Sequence, residues 1–184
     1  WSDGRYTLQL RDQVDRDVFE LCHTTESPPD GWMTRRLKAG DRLGYDPWLH
    51  HLSAIAQWRQ ACEKSGAELV AVTENPVDAV WRDRPPPPLA PVVAHELRFA
   101  GAASADKRAA AARDGAAAGA AAAVLTLPES VAWLLNVRGG DVPHTPLPLS
   151  MALLHRDGRV DWFIDGRKLA PDLSAHLGEG VTVR

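Results

Sequence analysis

The segment from Trp133 to Pro146 concentrates the side chains best suited to bind a ligand. A hydrophobic stretch ends near Gly139, and Arg138, Asp141 and His144 place two charges and an imidazole around that point. Arginine carries a permanently charged planar fork that suits a carbonyl or a carboxylate. Histidine donates or accepts a proton near neutral pH. Because rigid loops after apolar elements often carry function, this segment is the first candidate site.

Chemistry alone leaves two interpretations of this segment open. In the first, Arg138 and His144 approach a bound ligand while Asp141 and Gly139 support the loop. In the second, Arg138 forms an ion pair with Asp141 that only stabilises the loop. Both interpretations use the same charged side chains, so residue types and spacing do not separate them.

Two other reactive pairs are weaker candidates. Cys22-His23 is predicted to lie on extended chain, where neighbouring side chains point to opposite faces, so the pair is not expected to form a nucleophilic dyad. His50-His51 is predicted to lie on a helix, where adjacent side chains diverge by about 100 degrees and do not share a metal. The sequence also lacks the phosphate-binding, hydrolase-elbow and zinc-protease motifs.

Composition narrows the class of protein. The chain has 184 residues, a net charge of −3, 45% hydrophobic and 24% charged residues. A net negative charge argues against nucleic-acid binding. The absence of a long apolar run argues against a membrane-spanning helix. With only two cysteines, a disulfide framework is not expected and a cytoplasmic setting fits best. A start without Met or signal peptide suggests a fragment.

The elements that must position these residues alternate along the chain, which predicts an α/β fold. The predicted strands cover residues 5–10, 42–45, 68–72, 120–125, 148–155, 159–164 and 180–184. The predicted helices cover residues 32–38, 47–65, 129–135 and 168–177, and a further helix is predicted to begin at Ser104 and to run into the alanine-rich stretch. Asp3-Gly4 is expected to be a hairpin turn, and Asp46-Pro47 to begin a helix.

A run of four prolines, Pro85 to Pro88, interrupts this alternation. Such a run forms a stiff polyproline II segment, so residues 85–91 are predicted to link a domain at 1–84 to a domain at 92–184. A ligand for a proline-reading domain is the alternative interpretation of this run.

Several motifs in a fixed order resemble the Xaa-Pro aminopeptidase family (aminopeptidase P, long cytosolic type). The most specific runs from Pro128 to Gly139 and continues from Asp141 to His144. The others cover residues 3–6, 44–50, 75–81 with 84–85, and 104–108. Each motif is modest by itself, but their shared order makes the resemblance specific over nearly the whole chain.

The resemblance implies two creatinase-like N-terminal α/β domains, with mixed sheets flanked by helices, ahead of a catalytic domain of the pita-bread fold. Residues 1–84 then correspond to the C-terminal part of the first domain, and residues 92–184 to a second domain that is incomplete at its C-terminus. The resemblance implies a divalent metal, manganese or a similar ion, and it places all the ligands of that metal in the catalytic domain. We therefore expect no catalytic residue and no metal ligand in this chain, and no peptidase activity from the chain in isolation.

The implied parent protein is a cytoplasmic homodimer that removes an N-terminal residue preceding proline. This region would shape the substrate cleft and support assembly. Arg138 and His144 would face the peptide, with Asp141 and Gly139 supporting their loop. The alternative is a stand-alone creatinase-like module for binding or dimerisation, without peptidase activity. Nucleic acid and membrane are not expected as partners.

Overall fold

The computed structural model describes all 184 residues and divides them into two compact units, Trp1–Arg84 and Pro85–Arg184. Residues 84–91 form no helix or strand. The assignment of 85–91 as an interdomain linker stays a prediction. None of the helices has the length and apolar character needed to cross a bilayer.

The first unit is built on a two-stranded parallel sheet. Strands β1 (Arg42–Tyr45) and β2 (Glu68–Ala71) pair in parallel, and helix α3 (Leu52–Ser65) connects them. Parallel neighbours need such a crossover because their ends lie far apart. The remaining helices of the unit are α1 (Thr7–Gln13), α2 (Pro29–Arg36), which packs on α3, and α4 (Pro76–Val80).

Two sequence predictions for this unit are wrong. The expected strand at 5–10 is a short 3-10 helix, Gly4–Tyr6, that leads into α1. Asp3 caps that turn by accepting from the Arg5 backbone N–H at 3.0 Å, so no hairpin forms. The expected helix start at Pro47 is also wrong, since α3 begins at Leu52.

The second unit holds a four-stranded mixed sheet in the order β4-β6-β7-β8. Its strands are β4 (Ala122–Leu125), β6 (Met151–His155), β7 (Val160–Phe163) and β8 (Val181–Val183). Only the β7–β8 pairing is parallel. Strands β3 (Val93–Ala94) and β5 (Val137–Arg138) form a separate antiparallel pair. The helices are α5 (Leu97–Ala100), α6 (Ser104–Ala117), α7 (Pro128–Leu135) and α8 (Leu173–Leu177).

One hydrophobic core holds this unit together. Trp162 of β7 is fully buried in one cluster with Val131 and Leu135 of α7 and Leu154 of β6. Alternate residues of the sheet face the other way, and Phe163 is 45% exposed. The sheet thus has one covered face and one open face, as expected from the two-residue period of strands. The predicted α/β class is confirmed.

Candidate functional site

The candidate loop begins where α7 ends. Asn136 closes that helix in the left-handed conformation, with φ 52°, a position that Asn tolerates better than most residues. The chain then forms β5, and the Gly139 N–H donates to the Pro146 carbonyl at 3.2 Å. A Cβ built on Gly139 would lie 2.7 Å from the Pro148 nitrogen. The two ends of the loop are therefore held close at a position where only glycine fits.

Asp141 holds the middle of the loop through a buried ion pair with Lys168, which lies in the 3-10 turn Gly166–Lys168. The Lys168 Nζ lies 2.7 Å from the Asp141 Oδ2, and the two side chains are 6% and 0% exposed. The backbone N–H groups of Ala90 and Leu149 also donate to this carboxylate, at 3.2 and 2.7 Å. Three separate segments of the second unit are thus joined at one carboxylate.

This arrangement overturns the second interpretation of the segment. The charged partner of Asp141 is Lys168, and no ion pair joins Asp141 to Arg138. The Arg138 Nη1 donates only to the neighbouring Val137 carbonyl, at 2.8 Å. Arg138 is half-buried, so its remaining N–H groups stay available to another acceptor.

His144 lies at the tip of the same loop. Its φ of 59° is one of only two positive values outside glycine in the chain. A bridge between Val142 and Thr145 closes the turn around it. The imidazole is exposed and makes no hydrogen bond within the chain. The structure therefore places Arg138 and His144 on one braced loop and presents both to solvent, but it does not bring them into hydrogen-bond contact.

Sequence reasoning missed two basic side chains behind this loop. The Lys107 Nζ donates to the Asn136 Oδ1 at 2.7 Å and to the Trp133 carbonyl at 3.1 Å, and lies 4.7 Å from the centre of the Trp133 ring. The backbone N–H of His95 donates to the Asn136 carbonyl at 2.7 Å, which holds the His95 residue beside this helix end. Helical spacing gave no signal for Lys107, because its segment is rich in alanine on every face.

Burial and nearby positive charges lower the pKa of both side chains. Burial lowers the pKa of Lys107, and the neighbouring Arg138 lowers it further. Burial is also the main cause that lowers the pKa of His95, followed by Arg138 and Lys107. Glu96 acts in the opposite direction on His95. The surroundings of Arg138 are thus positively charged.

The weaker candidates have structural roles. Cys22 is buried, and the His23 Nδ1 accepts from the Thr25 backbone N–H at 3.2 Å. His50 packs edge-on against Trp58, with ring centres 4.4 Å apart. The structure contains no group of three or more His, Cys, Asp or Glu side chains that could hold a metal ion.

The buried ion pair gives a first testable prediction. We expect Asp141→Ala to lower the free energy of unfolding by about 3–5 kcal/mol, because the Lys168 ammonium would stay buried without its partner. Chemical denaturation followed by circular dichroism measures the loss. The control is Asp157→Ala, which removes an exposed pair with Arg159 and is expected to cost much less, because solvent screens such pairs. Equal losses in the two variants would contradict this account.

The close approach at Gly139 gives a second prediction. We expect Gly139→Ala to destabilise the chain by about 1–3 kcal/mol, because the new methyl group would meet the Pro148 backbone, which cannot rotate away. Gly166→Ala is the matched control, since a Cβ there has no neighbour within 4 Å. Melting temperatures of both variants test the difference. A Gly139→Ala variant as stable as the control would show that the loop ends are not held in this way.

Comparisons with known proteins assign this chain to a family. Residues 83–184 match the Creatinase/Prolidase N-terminal domain. Aminopeptidase P1 of Lotus japonicus is 34% identical over 186 residues, which is 100% of this chain and 28% of the relative. The probable Xaa-Pro aminopeptidase P of Aspergillus niger is also 34% identical, over 100% of this chain and 30% of the relative.

A solved structure agrees with these relatives. The X-prolyl aminopeptidase from Caenorhabditis elegans, described as a cytosolic enzyme with a di-nuclear active site, superposes with a TM-score of 0.90 at 30% identity. The match covers 100% of this chain and 30% of that enzyme. The chain thus spans under a third of the length of the proteins it resembles, and it belongs to the creatinase/prolidase N-terminal domain family.

Proposed function

We propose that this chain is the non-catalytic N-terminal region of a metal-dependent Xaa-Pro aminopeptidase, which removes an N-terminal residue that precedes proline. The observation that carries this proposal is the match to such enzymes over 100% of the chain at 34% identity. The TM-score of 0.90 to an X-prolyl aminopeptidase adds support at the level of the fold. The parent enzyme would be a cytoplasmic homodimer.

The chemistry of bond cleavage is assigned elsewhere in the parent enzyme. The residues present here do not fit a divalent metal such as manganese, since no three of their donor side chains converge. No catalytic step is therefore assigned to the residues of this chain. Its proposed contributions are to shape the cleft, to position the peptide and to support assembly.

Peptide positioning is assigned to the braced loop. Proline lacks a backbone N–H, so an enzyme that selects it must recognise the peptide through carbonyls, a terminal charge and shape. Arg138 has free N–H donors for such acceptors, and His144 presents its imidazole from a fixed turn. Asp141 and Gly139 hold the loop in place through the Lys168 pair and the contact with Pro148.

The open face of the four-stranded sheet favours the role in assembly. Met151 and Phe163 are paired across β6 and β7 and are 43% and 45% exposed. Val124 of β4 lies on the same face and is 72% exposed. Apolar side chains grouped on one face favour contact with other protein surface. This observation also fits the alternative, a stand-alone binding or dimerisation module.

Substitutions in the full-length enzyme test the proposed loop role. We expect Arg138→Ala and His144→Ala each to lower kcat/KM for an Xaa-Pro peptide about tenfold, or about 1.4 kcal/mol, with little change in melting temperature. Arg113→Ala is the control, because Arg113 is an exposed arginine without an ion pair. A lower melting temperature with unchanged kinetics would leave these two residues a structural role only.

Activity of the isolated chain is a separate test. We expect the purified 184-residue chain to show no hydrolysis of an Xaa-Pro dipeptide with added Mn²⁺, because no set of side chains is placed to hold the ion. Peptide cleavage followed by chromatography, with full-length enzyme as the positive control, measures this. Turnover together with tight stoichiometric metal would overturn the assignment of catalysis to another region.

A further inference from the structure

Three basic side chains of the second unit come together from different elements. His95 follows β3, Lys107 lies on α6, and Arg138 lies on β5. We call these three residues the basic cluster. The pairing of Val93 with Arg138 joins the two strands, and the hydrogen bond from the His95 backbone N–H to the Asn136 carbonyl extends that contact.

No member of the basic cluster has a carboxylate partner. Lys107 is only 7% exposed and is bound by carbonyl oxygens and the Trp133 ring. Glu96, the acidic residue that follows His95 in sequence, pairs with Arg98 at 2.9 Å. The other buried lysine of the unit, Lys168, has Asp141. Lys107 therefore lacks the counter-ion that Lys168 has. Positive charges that lie together without a counter-ion favour binding of an anion.

The surface around the basic cluster is aromatic. Phe99 is 63% exposed and Trp133 is 54% exposed. The His95 ring stacks on Phe99 with centres 6.0 Å apart. Exposed rings beside unused charged donors suit an anionic group carried on an organic framework better than a strongly hydrated inorganic ion.

We propose that the basic cluster binds a carboxylate. The Arg138 guanidinium contacts the carboxylate through its free N–H groups, and His95 contacts it through its ring N–H. Lys107 supplies a fixed positive charge behind them. The carboxylate comes from one of two sources: the C-terminus of a peptide substrate, or an acidic side chain of the rest of the enzyme. The choice between these sources rests on the proposed function, whereas the site itself does not.

Titration of the isolated chain with sodium acetate tests the site directly. The probe is the His95 imidazole resonance in NMR spectra, assigned with His95→Gln, at constant ionic strength balanced with chloride. We expect a saturable shift and a rise in the pKa of His95, because a bound carboxylate counteracts Arg138 and Lys107. Glu96 is the other group that acts on this imidazole, and the nearby His176 Nε2 contacts the Asn136 carbonyl at 2.8 Å.

Matched variants decide whether the effect belongs to the cluster. We expect Arg138→Gln to weaken acetate binding at least roughly fivefold, in line with loss of one charged hydrogen bond. Arg113→Gln removes the same charge from an exposed position on α6 and is expected to leave binding unchanged. Circular dichroism confirms that both variants are folded. The proposal is overturned if His95 shows no saturable shift, or if both variants weaken binding equally.

Two further binding experiments identify the source of the carboxylate. Acetylglycyl-proline is compared with its C-terminal amide, first on the isolated chain and then on the full-length enzyme. Binding of the acid but not the amide to both proteins supports the peptide terminus. Binding to the isolated chain alone supports an internal acidic side chain. Because these readouts need no turnover, a failed kinetic test of Arg138 would not be confused with a failed carboxylate site.

Discussion

The candidate site of the second unit depends on Asn136. Its left-handed backbone ends α7, and its carbonyl accepts from the backbone N–H of His95 at 2.7 Å. Its side chain accepts from the Lys107 Nζ at 2.7 Å and donates to the Ala102 carbonyl at 2.9 Å. A single buried amide thus fixes the helix end, the start of the candidate loop and the basic cluster. A residue without both a donor and an acceptor could not do this.

The unit stabilises its buried cations in different ways. Lys168 is neutralised by Asp141, which makes that pair a fixed support for the loop. The Arg108 guanidinium donates to the carbonyls of Gly158 and Gly180, at 2.9 and 3.1 Å. Lys107 has only neutral acceptors and a ring. Charge that is satisfied locally serves structure, whereas charge left without a counter-ion raises the local potential for a ligand.

Local signals in the sequence determined much of the fold. Pro128 begins α7, Gly66 ends α3 in the left-handed conformation, and Asp157-Gly158 joins β6 to β7. Each of these depends on the backbone preference of one or two residues, so it can be read without knowing the rest of the chain. The order of the motifs also led to the family that the comparisons show.

Only the tertiary structure decided which strands and which charged side chains contact one another. The alternation at residues 5–10 suggested a strand, but a strand needs a neighbour, and the Asp3 cap instead starts helical turns there. Asp141 was three residues from Arg138 in sequence, yet its partner is Lys168, which the fold brings to 2.7 Å. Lys107 gave no signal among alanines and became a buried charge only through its contacts with Asn136 and Trp133. Spacing therefore determined most of the turns and elements, whereas long-range packing decided which charges are paired and which remain free.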